Sequence, residues 1–90
     1  MPVKEIDPIY DVILIWNECK DSISYKKYCS ETMCNLLGYN AELSVKLVYE
    51  AIEKTRTLMY STRNIDKASD VRDKFLALGI DCVISKTEVR

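Results

Sequence analysis

The sequence predicts an α/β protein of small size, a two-layer α+β sandwich with element order βααβαβ. Three observations carry this. A β-branched and aromatic run, Ile-Tyr-Asp-Val-Ile-Leu-Ile-Trp-Asn, fills residues 9–17. Three later stretches place apolar residues at three- and four-residue spacing, which is the period of a helix with one buried side. Only 2 glycines and 2 prolines occur among 90 residues, so little of the chain is left for irregular loops.

Residues 1–8 carry both prolines and read as a flexible lead-in. In the first strand Val12, Leu14 and Trp16 point one way and Ile13 and Ile15 the other, so both faces are apolar. A central place in a sheet explains that pattern, and so does a sheet face covered by a partner. Residues 18–24 form a polar connection. Tyr25, Tyr28, Cys29, Thr32, Met33, Leu36 and Leu37 then mark an amphipathic helix, with Ser22 or Ser24 as its N-cap and Gly38 as its stop. Asn40 caps a second helix that runs to Lys54, and Glu42 suits the dipole of its first turn. A connection this short makes the two helices an antiparallel pair. The second helix is apolar over more than one stripe. Leu43, Leu47, Val48 and Ala51 form one row, and Val45, Tyr49 and Ile52 widen the arc beyond the roughly 100° that packing on a sheet needs.

Residues 56–62 alternate as a second strand, with Leu58 and Tyr60 on one side and Thr57, Met59 and Ser61 on the other. Asn64 caps a third helix with inner positions Ile65, Ala68, Val71, Phe75 and Leu78, closed by Gly79. The last strand, residues 80–85, sets Ile80, Cys82 and Ile84 toward the core and Asp81, Val83 and Ser85 outward. Residues 9–86 thus make a single domain, followed by a frayed tail at 87–90. The first strand inserts between or beside the other two, giving a three-stranded sheet with helices on one face. Ile13, Ile15 and Val83 lie on the opposite face.

Composition narrows the function. Thirteen basic side chains stand against 14 acidic ones, which is not the basic excess of a nucleic-acid binder. The chain has no histidine, so histidine-based acid–base or nucleophilic catalysis is excluded and the commonest metal ligand is missing. The acidic side chains of the second and third helices alternate with basic ones, as in Lys46–Glu50 and Asp70–Lys74, and read as a solvated, ion-paired surface. Cys19, Cys29, Cys34 and Cys82 contain no CxxC spacing and read as reduced structural thiols. No enzyme, cofactor or metal is expected. The charged, proline-bearing start is no secretory signal, and no stretch reaches the roughly 18 apolar residues of a membrane span, so a cytoplasmic, reducing location is expected.

The first strand passes straight into Val-Ile-Leu-Ile-Trp-Asn-Glu-Cys at 12–19, and the chain closes on Gly79-Ile80-Asp81-Cys82-Val83-Ile84. From about residue 10 onward this resembles the ClpS-like fold of the ClpS protease adaptors, whose first strand leads into an Asn-Asp-Asp-type motif; Asn17, Glu18 and Cys19 occupy those places here. The resemblance implies a protein-binding adaptor that takes the free N-terminal residue of a substrate and passes it to a Clp unfoldase. It places Asn17 and Glu18 at the substrate's α-ammonium, since an amide oxygen and a carboxylate together satisfy a buried cation. It places Val48 and Ile52 in the pocket for the bulky first side chain. The family's histidine falls near Ile52 and has no counterpart, which removes one ammonium ligand and about 1–3 kcal/mol of binding. The C-terminal domain of the bacterial ribosomal stalk protein is a sister of this fold, with Lys26, Lys27 and Lys46 in the corresponding helices. A third expectation is self-association, with Ile13, Ile15, Val45 and Tyr49 as interface and a second copy as partner.

Overall fold

A computed structural model describes residues 8–87. The order is β1 (Ile9–Ile15), a 3-10 turn (Glu18–Lys20), α1 (Ile23–Leu37), α2 (Ala41–Lys54), β2 (Arg56–Thr62), α3 (Ile65–Ala77) and β3 (Cys82–Thr87). The expected lead-in and frayed tail fall largely outside the described residues.

β1 is the central strand of one antiparallel sheet ordered β2-β1-β3. Its helix-side residues Val12, Leu14 and Trp16 join Met33, Val48, Ala51 and Phe75 in the core. Centrality thus accounts for one apolar face of β1. The other, at Ile13 and Ile15, carries no helix.

Each helix begins on a side chain that satisfies its free backbone donors. Ser22 Oγ accepts from Tyr25 N at 3.0 Å, Asn40 Oδ1 from Leu43 N at 2.8 Å, and Asn64 Oδ1 from Asp66 N at 2.9 Å. Gly38 ends α1 at φ 71°, in the left-handed region where glycine carries no Cβ penalty. Between α2 and β2 there is one residue, Thr55, which turns the chain at φ 73° while its carbonyl accepts from Trp16 N at 2.8 Å. A β-branched residue is strained there. The short link and that hydrogen bond hold it.

The structure corrects several expectations. The polar connection expected over residues 18–24 is shorter: it opens with a turn of 3-10 helix at Glu18–Lys20, and residues 23 and 24 already belong to α1. β2 does not alternate evenly. Val12 pairs with Tyr60 while Ile13 pairs with Leu58, so Met59 is an extra residue and the strand carries a β-bulge. The bulge turns Tyr60 toward the core beside the buried Met59, and leaves Leu58 and Ser61 on the open side. β3 begins at Cys82, not at residue 80, and runs to Thr87 because Lys86 and Thr87 pair with Tyr10 and Ile9. On α2 the buried row is Ser44, Val48 and Ala51; Leu43 is exposed. On α3, Ala68 and Phe75 are buried, whereas Ile65 and Leu78 are exposed at its ends. Lys74 pairs with Asp70 at 3.0 Å, but Glu50 accepts from Thr57 Oγ1 at 3.0 Å instead of holding Lys46.

Candidate functional site

Two of the apolar surfaces among the described residues involve the residues expected to bind or self-associate. The first is a groove of about 400 Å³ between α1 and α2. Ile23, Lys26 and Lys27 from the first half of α1 form one wall, and Val45, Val48 and Tyr49 of α2 form the other. Small polar residues set the approach of the two helices. Ser44 Oγ donates to the Ala41 carbonyl at 2.9 Å, and it accepts from Ser30 Oγ at 2.8 Å and Cys34 Sγ at 3.3 Å. With Ser44 turned toward α1, Val48 forms the floor of the groove. Val45 and Tyr49 flank it, 42% and 60% exposed. Ile23, the first residue of α1, is 84% exposed at its mouth. The rim is charged but balanced locally, with Lys26 3.7 Å from Asp21 and Lys27 3.9 Å from Glu31.

The end of β1 is built differently. Asn17 Oδ1 accepts from Cys19 N at 2.9 Å, and its Nδ2 donates to Asp81 Oδ2 at 3.2 Å. Both ends of that carboxamide are therefore engaged in holding the 3-10 turn to the start of β3. Glu18 is exposed on the same turn. Lys20 Nζ donates to the Gly79 carbonyl at 2.8 Å and lies 5.9 Å above the Tyr25 ring. Tyr25 stacks obliquely on Trp16 with centroids 5.1 Å apart. Ile52 is half-buried and packs against the core. Of the four residues expected at a binding site, Val48 lines the groove and Asn17, Glu18 and Ile52 do not; Val45 and Tyr49, expected instead at an interface between copies, stand beside Val48.

The second surface is the outer sheet face. Ile13 lies between Leu58 and Val83, which are 50% and 41% exposed. Leu58 was not among the expected interface residues, because only the bulge separates it from Tyr60. Ile23 was missed although its signal was present: with Ser22 as cap, it becomes the first helical residue and falls outside the buried spacing of α1.

Neither surface is equipped for covalent chemistry by the buried thiols. Burial pushes the Cys82 thiol up to about 11 and raises Cys29 as well, which disfavours the nucleophilic thiolate. All four cysteines are free, and Cys29 and Cys82 are buried. Among the described residues no group of three His, Cys, Asp or Glu side chains is placed to hold a metal ion, and no helix is long and apolar enough to cross a membrane. No protein-family model matches the chain, and no curated protein matches it.

Proposed function

We propose that this chain is a non-enzymatic protein-binding domain that captures a bulky apolar side chain of its partner in the α1/α2 groove. The observation that carries this is the convergence of Ile23, Val45, Val48 and Tyr49 on one open concavity of about 400 Å³. That is the scale of a small-ligand or side-chain site. The helix pair forms the core-facing layer with its other sides, so the exposed Ile23, Val45 and Tyr49 are not needed for the fold, whereas Val48 serves both core and groove. Resemblance to the ClpS adaptors supports a role in presenting such a partner to a Clp-type unfoldase in the cytoplasm. Recognition differs from that family's in one respect. Asn17 is engaged by Cys19 and Asp81, so binding rests on the side chain rather than on the partner's α-ammonium.

Fluorescence anisotropy with peptides that begin with Phe, Leu or Ser, each with a free or acetylated N-terminus, tests this. Phe and Leu peptides are expected to bind and Ser peptides to bind at least tenfold more weakly, with acetylation making no difference. Tyr49→Ala is expected to weaken Phe binding by about tenfold, the ordinary effect of truncating an aromatic contact. Equal binding of Ser peptides, or indifference to Tyr49→Ala, removes the groove from consideration. A requirement for the free amine returns Asn17 and Glu18 to the site.

A further inference from the structure

The two edges of the sheet are finished differently. Trp16 N donates to the Thr55 carbonyl and Ile15 N to the Asp81 carbonyl, so successive residues of β1 turn their backbone groups to opposite neighbours. Ile9, Asp11 and Ile13 therefore bond to Thr87, Ser85 and Val83. The residues between, Cys82, Ile84 and Lys86, carry their N–H and C=O groups to the outer edge of β3. Among the described residues no backbone group elsewhere takes these up, and the Cys82 bond to the Arg72 carbonyl at 3.5 Å runs from Sγ. β2 presents no such row. Its bulge at Met59 breaks the straight edge, and the Tyr39 hydroxyl donates to the Met59 carbonyl at 2.6 Å. A bulge and a covering group both close an edge to further pairing. The register of β3 with β1 runs unbroken from Cys82 to Thr87.

We propose that the β3 edge pairs antiparallel with β3 of a second copy, joining the two sheets into one. A row of outward donors and acceptors at strand spacing is matched by another extended backbone, and β3 supplies its own match. With a two-fold axis at Ile84, that residue pairs with its counterpart and Cys82 pairs with Lys86 of the other copy. Every outward residue then bonds in both directions. Other registers do less. An axis at Cys82 brings Ile84 to Ile80, whose N–H already donates to the Phe75 carbonyl at 2.9 Å. An axis at Lys86 sets two ammonium groups directly opposite, which destabilises a pair. The side chains agree with the axis at Ile84. Ile84 lies on the helix side with Val12 and packs against the core, so it meets an apolar neighbour there, while Val83 faces Ser85 of the other copy on the open side. This contact differs from the self-association expected from the sequence, since it uses neither Ile13 and Ile15 nor Val45 and Tyr49. Pairing along one short strand buries little area, so the dimer belongs to the weak class of interface.

Amide hydrogen exchange resolved by NMR, with sedimentation velocity on the same samples of the full chain from about 30 μM to about 1 mM, tests this. Exchange at the Ile84 and Lys86 amides is expected to be fast in dilute solution and to slow severalfold as dimer forms. Val83 and Ser85, already bonded to β1, should stay slow throughout. Lys86→Pro deletes an outward N–H without touching the pairing with β1 and should weaken association by tenfold or more, whereas Lys86→Ala keeps that N–H and should change it by less than about twofold. Exchange in the unaltered chain decides the matter if Lys86→Pro disturbs the sheet. A chain that stays monomeric at about 1 mM, association that leaves Ile84 and Lys86 exchanging fast, protection of both amides already in the dilute monomer, or a folded Lys86→Pro variant that associates as tightly as the unaltered chain overturns the proposal.

Discussion

Two tyrosines show how little a residue type says without its partners. Burial raises the phenol pKa of both Tyr25 and Tyr39. Tyr39 donates to the Met59 carbonyl at 2.6 Å, tying the α1–α2 connection to the bulge in β2. The buried Tyr25 hydroxyl has no hydrogen-bond partner among the described residues. Buried and unpaired, such a hydroxyl has lost its water for nothing. Tyr39→Phe is therefore expected to cost about 1 kcal/mol or somewhat more, since it also strips the Met59 carbonyl. Tyr25→Phe keeps the ring against Trp16 and should be neutral or stabilising. Urea denaturation of the two variants decides the matter, and a loss above about 1 kcal/mol for Tyr25→Phe contradicts it.

At the scale of elements, the α1/α2 crossing depends on the hydroxyls of Ser30 and Ser44, both buried. Ser44→Ala alone leaves Ser30 Oγ and Cys34 Sγ without their acceptor and should cost about 1–2 kcal/mol. Ser30→Ala with Ser44→Ala removes both sides of the bond, so the double variant should lose clearly less than the sum of the singles. Additive losses would show that the bond does not set the crossing. The same crossing explains what could be read in the sequence and what could not. Helix starts were legible because Ser22, Asn40 and Asn64 act through bonds within three residues. The rotation of α2 was not, since an apolar arc wider than one face fits several rotations. Contact with Ser30 selects the one that buries Ser44 and exposes Leu43. In β2 the bulge inserts Met59 through pairing with a strand more than forty positions earlier, which no local alternation reveals. For the candidate site, the excess apolar surface of Val45 and Tyr49 was legible in the width of the arc. The engagement of Asn17 by Asp81, 64 positions away, was not.

For the whole molecule, the absence of histidine becomes a statement about pH. No side chain with an ordinary pKa changes charge between about pH 5 and 8. The ion pairs Lys26–Asp21, Lys27–Glu31, Arg72–Asp73 and Lys74–Asp70 are all partly or largely solvated, so each contributes little. Stability should be nearly level across that range. Alkaline pH is different, because Cys29, Cys82, Tyr25 and Tyr39 are all shifted upward, each chiefly by burial. An acid whose folded pKa is raised holds its proton longer in the native state than in the unfolded chain. Its contribution is complete below the unfolded pKa and is lost as pH climbs through the folded value. For Cys82 that interval runs from 9.0 to about 11, and the other three groups act in the same direction. Urea midpoints measured from pH 5.5 to 10.5 should therefore stay level to about pH 8 and then fall. Cys82→Ala should make that fall shallower at the expense of a lower plateau, because the packing contribution and the proton contribution of one buried thiol are separate. A Cys82→Ala profile parallel to the wild-type profile would assign the alkaline loss to Cys29 and the two phenols instead.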